Sequence, residues 1–211
     1  MTSTTADQVA PSTHHGDLRR AAELPEWRAR AFLTGRALLR ALVAEVRPAL
    51  TGAEITVDRR GKPWLRDHRE IGVSVSHSRG TVAAGVAVGR LLGVDIQRPD
   101  TSVTTSFARK LLREHAQRLA TLPPARAVEE VAWVWTAQEA CVKASGAGLA
   151  GRPWTIDVPP GARTGRWGDY RWISLRDHSS VPFSCAFPEP ASDAAAVGMS
   201  GKTAKHEKGE R

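Results

Sequence analysis

Glu139 and Lys143 pose a chemical question. The stretch WTAQEACVKASGAGL, Trp135 to Leu149, carries helix formers at Ala137, Gln138 and Ala140 and a stop at Gly146 and Gly148. At helical spacing Val128, Val131, Ala132, Trp135 and Val142 share one face, and Glu139 falls in line with them. Lys143 follows one turn later. One explanation is a solvent-facing ion pair at i, i+4, in the stabilising order but worth little. The other is a carboxylate placed on an apolar stripe to do chemistry.

A second acid is equally out of place. In LLGVDIQRP, Val94 and Ile96 point one way on a strand while Asp95 and Gln97 point the other. Aspartate is disfavoured inside strands. An acid on a strand and an acid on a helix can converge on Mg²⁺, which takes oxygen ligands and commonly one or two carboxylates plus substrate phosphates. Alternatively, Asp95 ends the strand and opens a turn before Pro99. In SVSHSRG, His77 sits among Ser74, Ser76 and Ser78. A hydrolase elbow of the GxSxG type is absent. Hydroxyls, imidazole and loop N–H groups can donate to a phosphate, or the stretch is a plain polar loop. RGKPW, Arg60 to Trp64, offers a cation from a rigid turn, or is only a turn.

These residues need a scaffold. A chain of 211 residues with 41% hydrophobic content and seven tryptophans can bury a real core. No apolar run approaches a membrane span, and residues 1–20 lack the apolar core of a signal peptide, so a cytoplasmic location is expected. Cys141 and Cys185 make neither a disulfide framework nor a CxxC zinc pair. The net charge of +8 favours anionic partners: nucleic acid, phosphorylated cofactors or an acidic protein. The arginines are dispersed through patterned segments rather than gathered in a tail, which leaves a specific anion site open.

The pattern predicts a long helix over residues 26–48, ended at Pro48, with Phe32, Leu39, Leu42, Val43 and Val46 on its apolar side. EITVDRR, GVSVSHS, TVAAGVAVG and LLGVDIQ read as strands of an antiparallel meander. Helices follow near 103–120 and 125–145, and WTIDV, YRWISL and PFSCAF read as three more strands. Strand runs separated by helices mean α+β. Disordered tails are expected over residues 1–16 and 189–211. Between them the chain could divide near Ile96 into halves over 17–96 and 97–188, although no sequence repeat marks them.

In order, GKP at Gly61–Pro63, SHS at Ser76–Ser78, GVDI at Gly93–Ile96 and the W-x3-E-A-x2-K-x2-G-x-G-L run at Trp135 resemble the Sfp-type 4′-phosphopantetheinyl transferases. The resemblance covers roughly residues 27–158. It implies two similar α/β halves, each an antiparallel sheet packed with helices, forming a pseudo-dimer with the active site at the seam. It implies a Mg²⁺-dependent transfer of the phosphopantetheine arm of coenzyme A to a serine of an apo acyl, peptidyl or aryl carrier protein, releasing adenosine 3′,5′-bisphosphate.

By the same resemblance Asp95 and Glu139 hold the metal, with Gln97 a weak or water-mediated third ligand. Glu139 takes the serine proton. Lys143 stabilises phosphoryl charge. Lys62 and Pro63 line the adenine pocket, Ser76 and His77 grip the phosphates, and Arg30 and Arg36 are candidates for the 3′-phosphate. The region Phe107–Leu119 is expected to dock the carrier, through Phe107, Leu111 and Leu112 and the charges of Arg109, Lys110, Arg113 and Arg118. A monomer is expected. Two departures stand out: many relatives carry Glu where this chain has Gln97, and Lys where it has Gln138. They motivate a second reading, a coenzyme A-binding relative with weak or no activity. A third, a basic nucleic-acid-binding protein, leaves Asp95, Glu139 and the SHS stretch without a role.

Overall fold

The computed structural model describes residues 1–189. Among these residues three antiparallel sheets and five α-helices make an α+β architecture. The first sheet orders its strands β1 (Thr2–Thr5), β5 (Thr81–Val88), β4 (Ile71–Ser78). β4 and β5 are joined by Arg79 and Gly80, both at positive φ (42° and 76°), the two-residue hairpin geometry that matches strand twist. A small ribbon pairs β2 (Ile55–Val57) with β3 (Pro63–Leu65). The other large sheet runs β6 (Gly93–Ile96), β9 (Phe183–Pro188), β8 (Tyr170–Ser174), β7 (Thr164–Trp167).

Each large sheet packs on one long helix. α2 (Glu26–Val46), preceded by the short α1 (His15–Ala21), lays Leu39 and Val43 against β4 and β5. α5 (Pro124–Ser145) lies on β6, β8 and β9 and buries Val134, Ala137 and Ala140. Proline at its first turn lacks the N–H a helix leaves orphaned, and Gly146 closes it at φ 74°. A third apolar cluster joins the sheets: Ala83 of β5, Val94 and Ile96 of β6, and Phe183 and Cys185 of β9.

Several expectations are corrected. The tail expected over residues 1–16 is structured: Thr2–Thr5 pairs with β5 in register Thr2↔Ala84, and Asp17 of α1 is anchored by Ser12. Backbone pairing, not an apolar pattern, makes that strand. β6 does not continue a meander with β5. It pairs with β9, so a cut after residue 96 would sever two hydrogen-bonded strands. The helix expected over 103–120 is broken into α3 (Thr105–Leu112) and α4 (Ala116–Leu119), because Arg113 takes φ 50°, ψ −120°. WTIDV forms a 3₁₀ turn at Pro153–Thr155 and not a strand. Proline at its start and the lack of a ladder partner decide this. Of the tail expected over 189–211, Glu189 is tied to Asp169 through its backbone N–H (2.9 Å), and residues from 190 onward lie outside the described ones. No helix among the described residues is long and apolar enough to cross a membrane.

Candidate active site

The three serines of SVSHS face one way because they alternate along β4, and they face β6. β4 and β6 share no ladder; side chains stitch them instead. Ser74 Oγ accepts from Val94 N–H (3.0 Å), Ser78 Oγ accepts from Arg98 N–H (2.9 Å), and Ser76 Oγ donates to Asp95 Oδ1 (2.7 Å). The stretch is therefore a strand whose hydroxyls hold the next element, and neither a polar loop nor a set of free phosphate donors. Asp95 is fixed on β6 by this stitching.

α5 reaches Asp95 from the other side. A Cβ on Gly93 would overlap the Ala140 carbonyl oxygen and the Ala144 backbone nitrogen, so only glycine lets β6 press this close to α5. Lys143 then places Nζ 2.5 Å from Asp95 Oδ1 and 3.0 Å from Ser76 Oγ. It makes no ion pair with Glu139 among the described residues, so the i, i+4 surface pair is not what forms. Glu139 is half-buried, and its Oε1 is fully enclosed without a hydrogen-bond partner. Burial and then the neighbouring Asp95 push its carboxyl up to about 7, only partly offset by Lys143.

The orphaned Oε1 beside Asp95 fits a hard divalent cation: two carboxylates in a half-buried site, each with oxygen lone pairs to give. The only His/Cys/Asp/Glu trio gathered among the described residues is elsewhere, at Glu114, His115 and Asp157 on the surface, where His115 Nε2 meets Asp157 Oδ1 at 2.8 Å.

Glu139 and Lys143 line a cavity of about 260 Å³ with Arg60, Lys62, Pro63, Ser74, Gly148 and Leu149. GKP, the middle serine strand and the helix motif are thus brought together by three separate segments. Pro63 is on the wall. Lys62 is 8% exposed, its Nζ bound to the carbonyls of Lys143 and Ala144 (2.5 Å each), and burial pushes its pKa down to about 8. His77 points to the opposite face of β4 from Ser76. Although it keeps an exposed surface, its imidazole rests where a Cβ of Gly35 on α2 would sit, and burial, followed by the charge of Lys143, pushes it down to about 4.

The remaining candidates are further off. Arg36 is buried beside Asp17, Nε to Oδ1 3.8 Å, in a cluster shared with Arg40, whose Nε meets Asp17 Oδ2 at 2.6 Å. It does not line the cavity. Arg30 is exposed on α2. Gln97 lines a separate small cavity with Phe107 and Trp135, and its amide donates to Arg98 O (3.2 Å). Gln138, the second departure, is fully buried and donates to Leu111 O and Ile156 O (2.9 Å each), pinning α3 and the 3₁₀ turn to α5, while its Oε1 is enclosed without a partner. Its neutrality suits a site with two carbonyl partners and no acid.

Known proteins resemble this chain over the region that carries these acids. The family model of the 4′-phosphopantetheinyl transferase superfamily matches residues 91–197, a stretch that includes Asp95, Glu139 and Lys143. The chain belongs to the 4′-phosphopantetheinyl transferase superfamily. Among curated proteins it is similar to the 4′-phosphopantetheinyl transferase HetI of Nostoc sp., 31% identical over 132 residues, which cover 60% of this chain and 55% of HetI. It is likewise similar to slr0495 of Synechocystis sp., whose name assigns the same activity provisionally, 31% identical over 125 residues, 57% of this chain and 51% of that protein. The matched stretch spans about half the length of both relatives. In superfamily terms, the acids on β6 and α5 sit inside the matched region, whereas GKP and the serine strand precede it.

Proposed function

We propose that this protein transfers the 4′-phosphopantetheine arm of coenzyme A to a serine hydroxyl of an apo carrier protein and releases adenosine 3′,5′-bisphosphate. The observation that carries this reading is the uncompensated carboxylate of Glu139, held beside Asp95 and Lys143 at the wall of the cavity. Among the described residues a few enclosed side-chain atoms lack a partner, Gln138 Oε1 among them, but Glu139 Oε1 is the only carboxylate oxygen of the set, and stranding a carboxylate costs a fold more than stranding an amide. Burial and Asp95 raise this carboxyl to about 7 with no cation beside it; a bound cation would lower it and keep it ionised to accept a proton.

Asp95 and Glu139 would hold Mg²⁺, which when bound supplies Lewis-acid stabilisation of the pyrophosphate. Glu139, directly or through water, accepts the serine proton as that oxygen bonds to the phosphorus bearing the pantetheine arm. The bond from that phosphorus to the bridging oxygen breaks, and the bridging oxygen leaves with the nucleotide. The Lys143 ammonium offsets charge on the phosphoryl oxygens. Pro63 and the aliphatic part of Lys62 would offer an apolar wall for the base, and His77 and Arg30, both exposed although neither lines the cavity, are the groups we propose for the phosphates. We read β4 and β6 as the seam between two halves, each a sheet with one long helix, and the protein as a cytoplasmic monomer.

The carrier would dock on α3 and α4. Phe107 is 38% exposed and packs edge-on to Trp135, at 5.7 Å between centroids. Arg109, Lys110, Arg113 and Arg118 are exposed around it. Leu111, offered above as a partner contact, is buried in the core, and Leu112 shows only at the floor of a groove of about 320 Å³ lined also by Val128 and Val131. Carrier domains that present an acidic helix would complement this basic rim.

Coenzyme A binding without turnover is the second reading. It is favoured by Gln97, whose amide is turned to Arg98 O and adds no charge beside Asp95. Incubating apo carrier domains with coenzyme A and Mg²⁺, and following both carrier mass and adenosine 3′,5′-bisphosphate, separates the two. Binding with neither product supports the second reading.

A further inference from the structure

The β2–β3 turn reaches across the molecule to the end of α5. Asp58 shapes it, its Oδ1 accepting from the N–H groups of Arg60 (2.8 Å) and Lys62 (2.9 Å). From this turn Lys62 Nζ donates to Lys143 O and Ala144 O (2.5 Å each), and Arg60 Nη1 to Gly146 O (3.4 Å). The last carbonyls of a helix have no partner within it and carry the negative end of its dipole. Here they are met by a buried ammonium whose remaining side lies over the Trp64 ring, 5.4 Å from its centroid.

The helix end so held is the one that carries Lys143, and Lys143 Nζ must reach Asp95 across the gap between α5 and β6. Two of the three N–H donors of the Lys62 ammonium are spent on these carbonyls. We infer that Lys62 is a positioning residue: from the β2–β3 turn it clamps the C-terminus of α5 and so sets where the Lys143 ammonium acts.

The kinetic part of this rests on the transferase reading; the clamp itself does not. Amide hydrogen exchange on the full chain tests the clamp. In Lys62→Met the last turn of α5 should exchange about tenfold faster, with β8 and β9 unchanged. Steady-state kinetics tests the consequence. Lys62→Met should lower kcat about tenfold while the KM for coenzyme A stays within about twofold, because a small misplacement of a catalytic group acts on the chemical step. In a Lys143→Ala background the same substitution should lower kcat no further. Lys62→Arg, which keeps charge and donors, should recover part of the loss.

Unchanged exchange at the end of α5 overturns the clamp. A KM increase at constant kcat, or a full additional loss in the Lys143→Ala background, overturns the positioning role and makes Lys62 a ligand contact. Should Lys62→Met fail to fold, Arg60→Ala, which removes only the longer bond to Gly146, must still speed exchange there, and no change would count against the clamp. A wild-type protein that loads no carrier defeats the transferase reading and leaves the exchange result to decide the clamp.

Discussion

Two carboxylates on the same helix are treated in opposite ways. Glu130, near the start of α5, is 6% exposed and fully satisfied: Arg176 donates to both of its oxygens (2.7 and 2.9 Å), and Gly161 N–H adds a third bond (2.8 Å). Burial alone would raise its pKa, but those bonds and the Arg176 charge outweigh burial and hold it below the usual range. Arg176 is itself seated over the Trp133 ring, 4.8 Å from its centroid. Glu139, further along, has an enclosed oxygen with no partner and a pKa pushed up to about 7. The fold plainly can compensate a buried acid. That it does so at Glu130 and not at Glu139 is why we propose a stabilising role for the first and a chemical one for the second.

The largest effects should appear at the uncompensated end. Asp95→Ala and Glu139→Ala should each lower kcat about a thousandfold or more, and the double variant should be hardly worse, because both act on one phosphoryl group. Glu139→Gln should melt no lower than wild type, since it removes a half-buried carboxylate that Lys143 only partly offsets. Near-wild-type kcat in either single variant breaks the comparison.

At the compensated end the pattern should invert. Glu130→Ala strands the Arg176 guanidinium, and denaturant unfolding should show a loss of about 3 kcal/mol, with kcat per folded molecule nearly unchanged. A loss of kcat without a loss of stability would make Glu130 part of the site.

Smaller effects sharpen the map around these two points. Reversing the exposed Arg109 and Arg118 to glutamate should raise the KM for the carrier about tenfold and flatten its salt dependence, with the KM for coenzyme A unmoved. Arg113 is less suited to that test, because it donates to Thr155 O (3.2 Å) and holds the break between α3 and α4. His77→Ala should weaken coenzyme A binding by only about threefold, as expected for one hydrogen bond from a neutral imidazole. Calorimetry with dephospho-coenzyme A then tells the 3′-phosphate from the pyrophosphate, since a contact to the 3′-phosphate gives a smaller loss with that ligand.

The candidate site was legible because its residues break local rules. An aspartate inside a strand and a glutamate on an apolar helix face both contradict the patterns around them, and those two converge with Lys143. The long helices were legible from apolar spacing and their proline and glycine boundaries. Other features rest on partners far away in sequence. TSTT carries no apolar alternation, and β5 alone makes it a strand. Nothing in SFARKLLREHAQRL marks Arg113 for positive φ. WTIDV has strand composition but no ladder partner, and Gln138 claims the carbonyl of Ile156 instead. Arg36 reads as a free cation on a helix; its partner Asp17, on the short α1 that the sequence pattern does not mark, is what occupies it. The serines of β4 were noticed, but their alternation also fits stitching to a neighbouring strand, and this is how the fold uses them.

The most direct test of the account is an intact-mass time course of an apo carrier domain with coenzyme A and Mg²⁺, run with wild-type protein and with folded Glu139→Gln. The account predicts a single phosphopantetheine adduct on the carrier serine with wild type and none with Glu139→Gln over the same time. Loading by both proteins at similar rates would contradict it, because the uncompensated carboxylate would then have no part in the reaction.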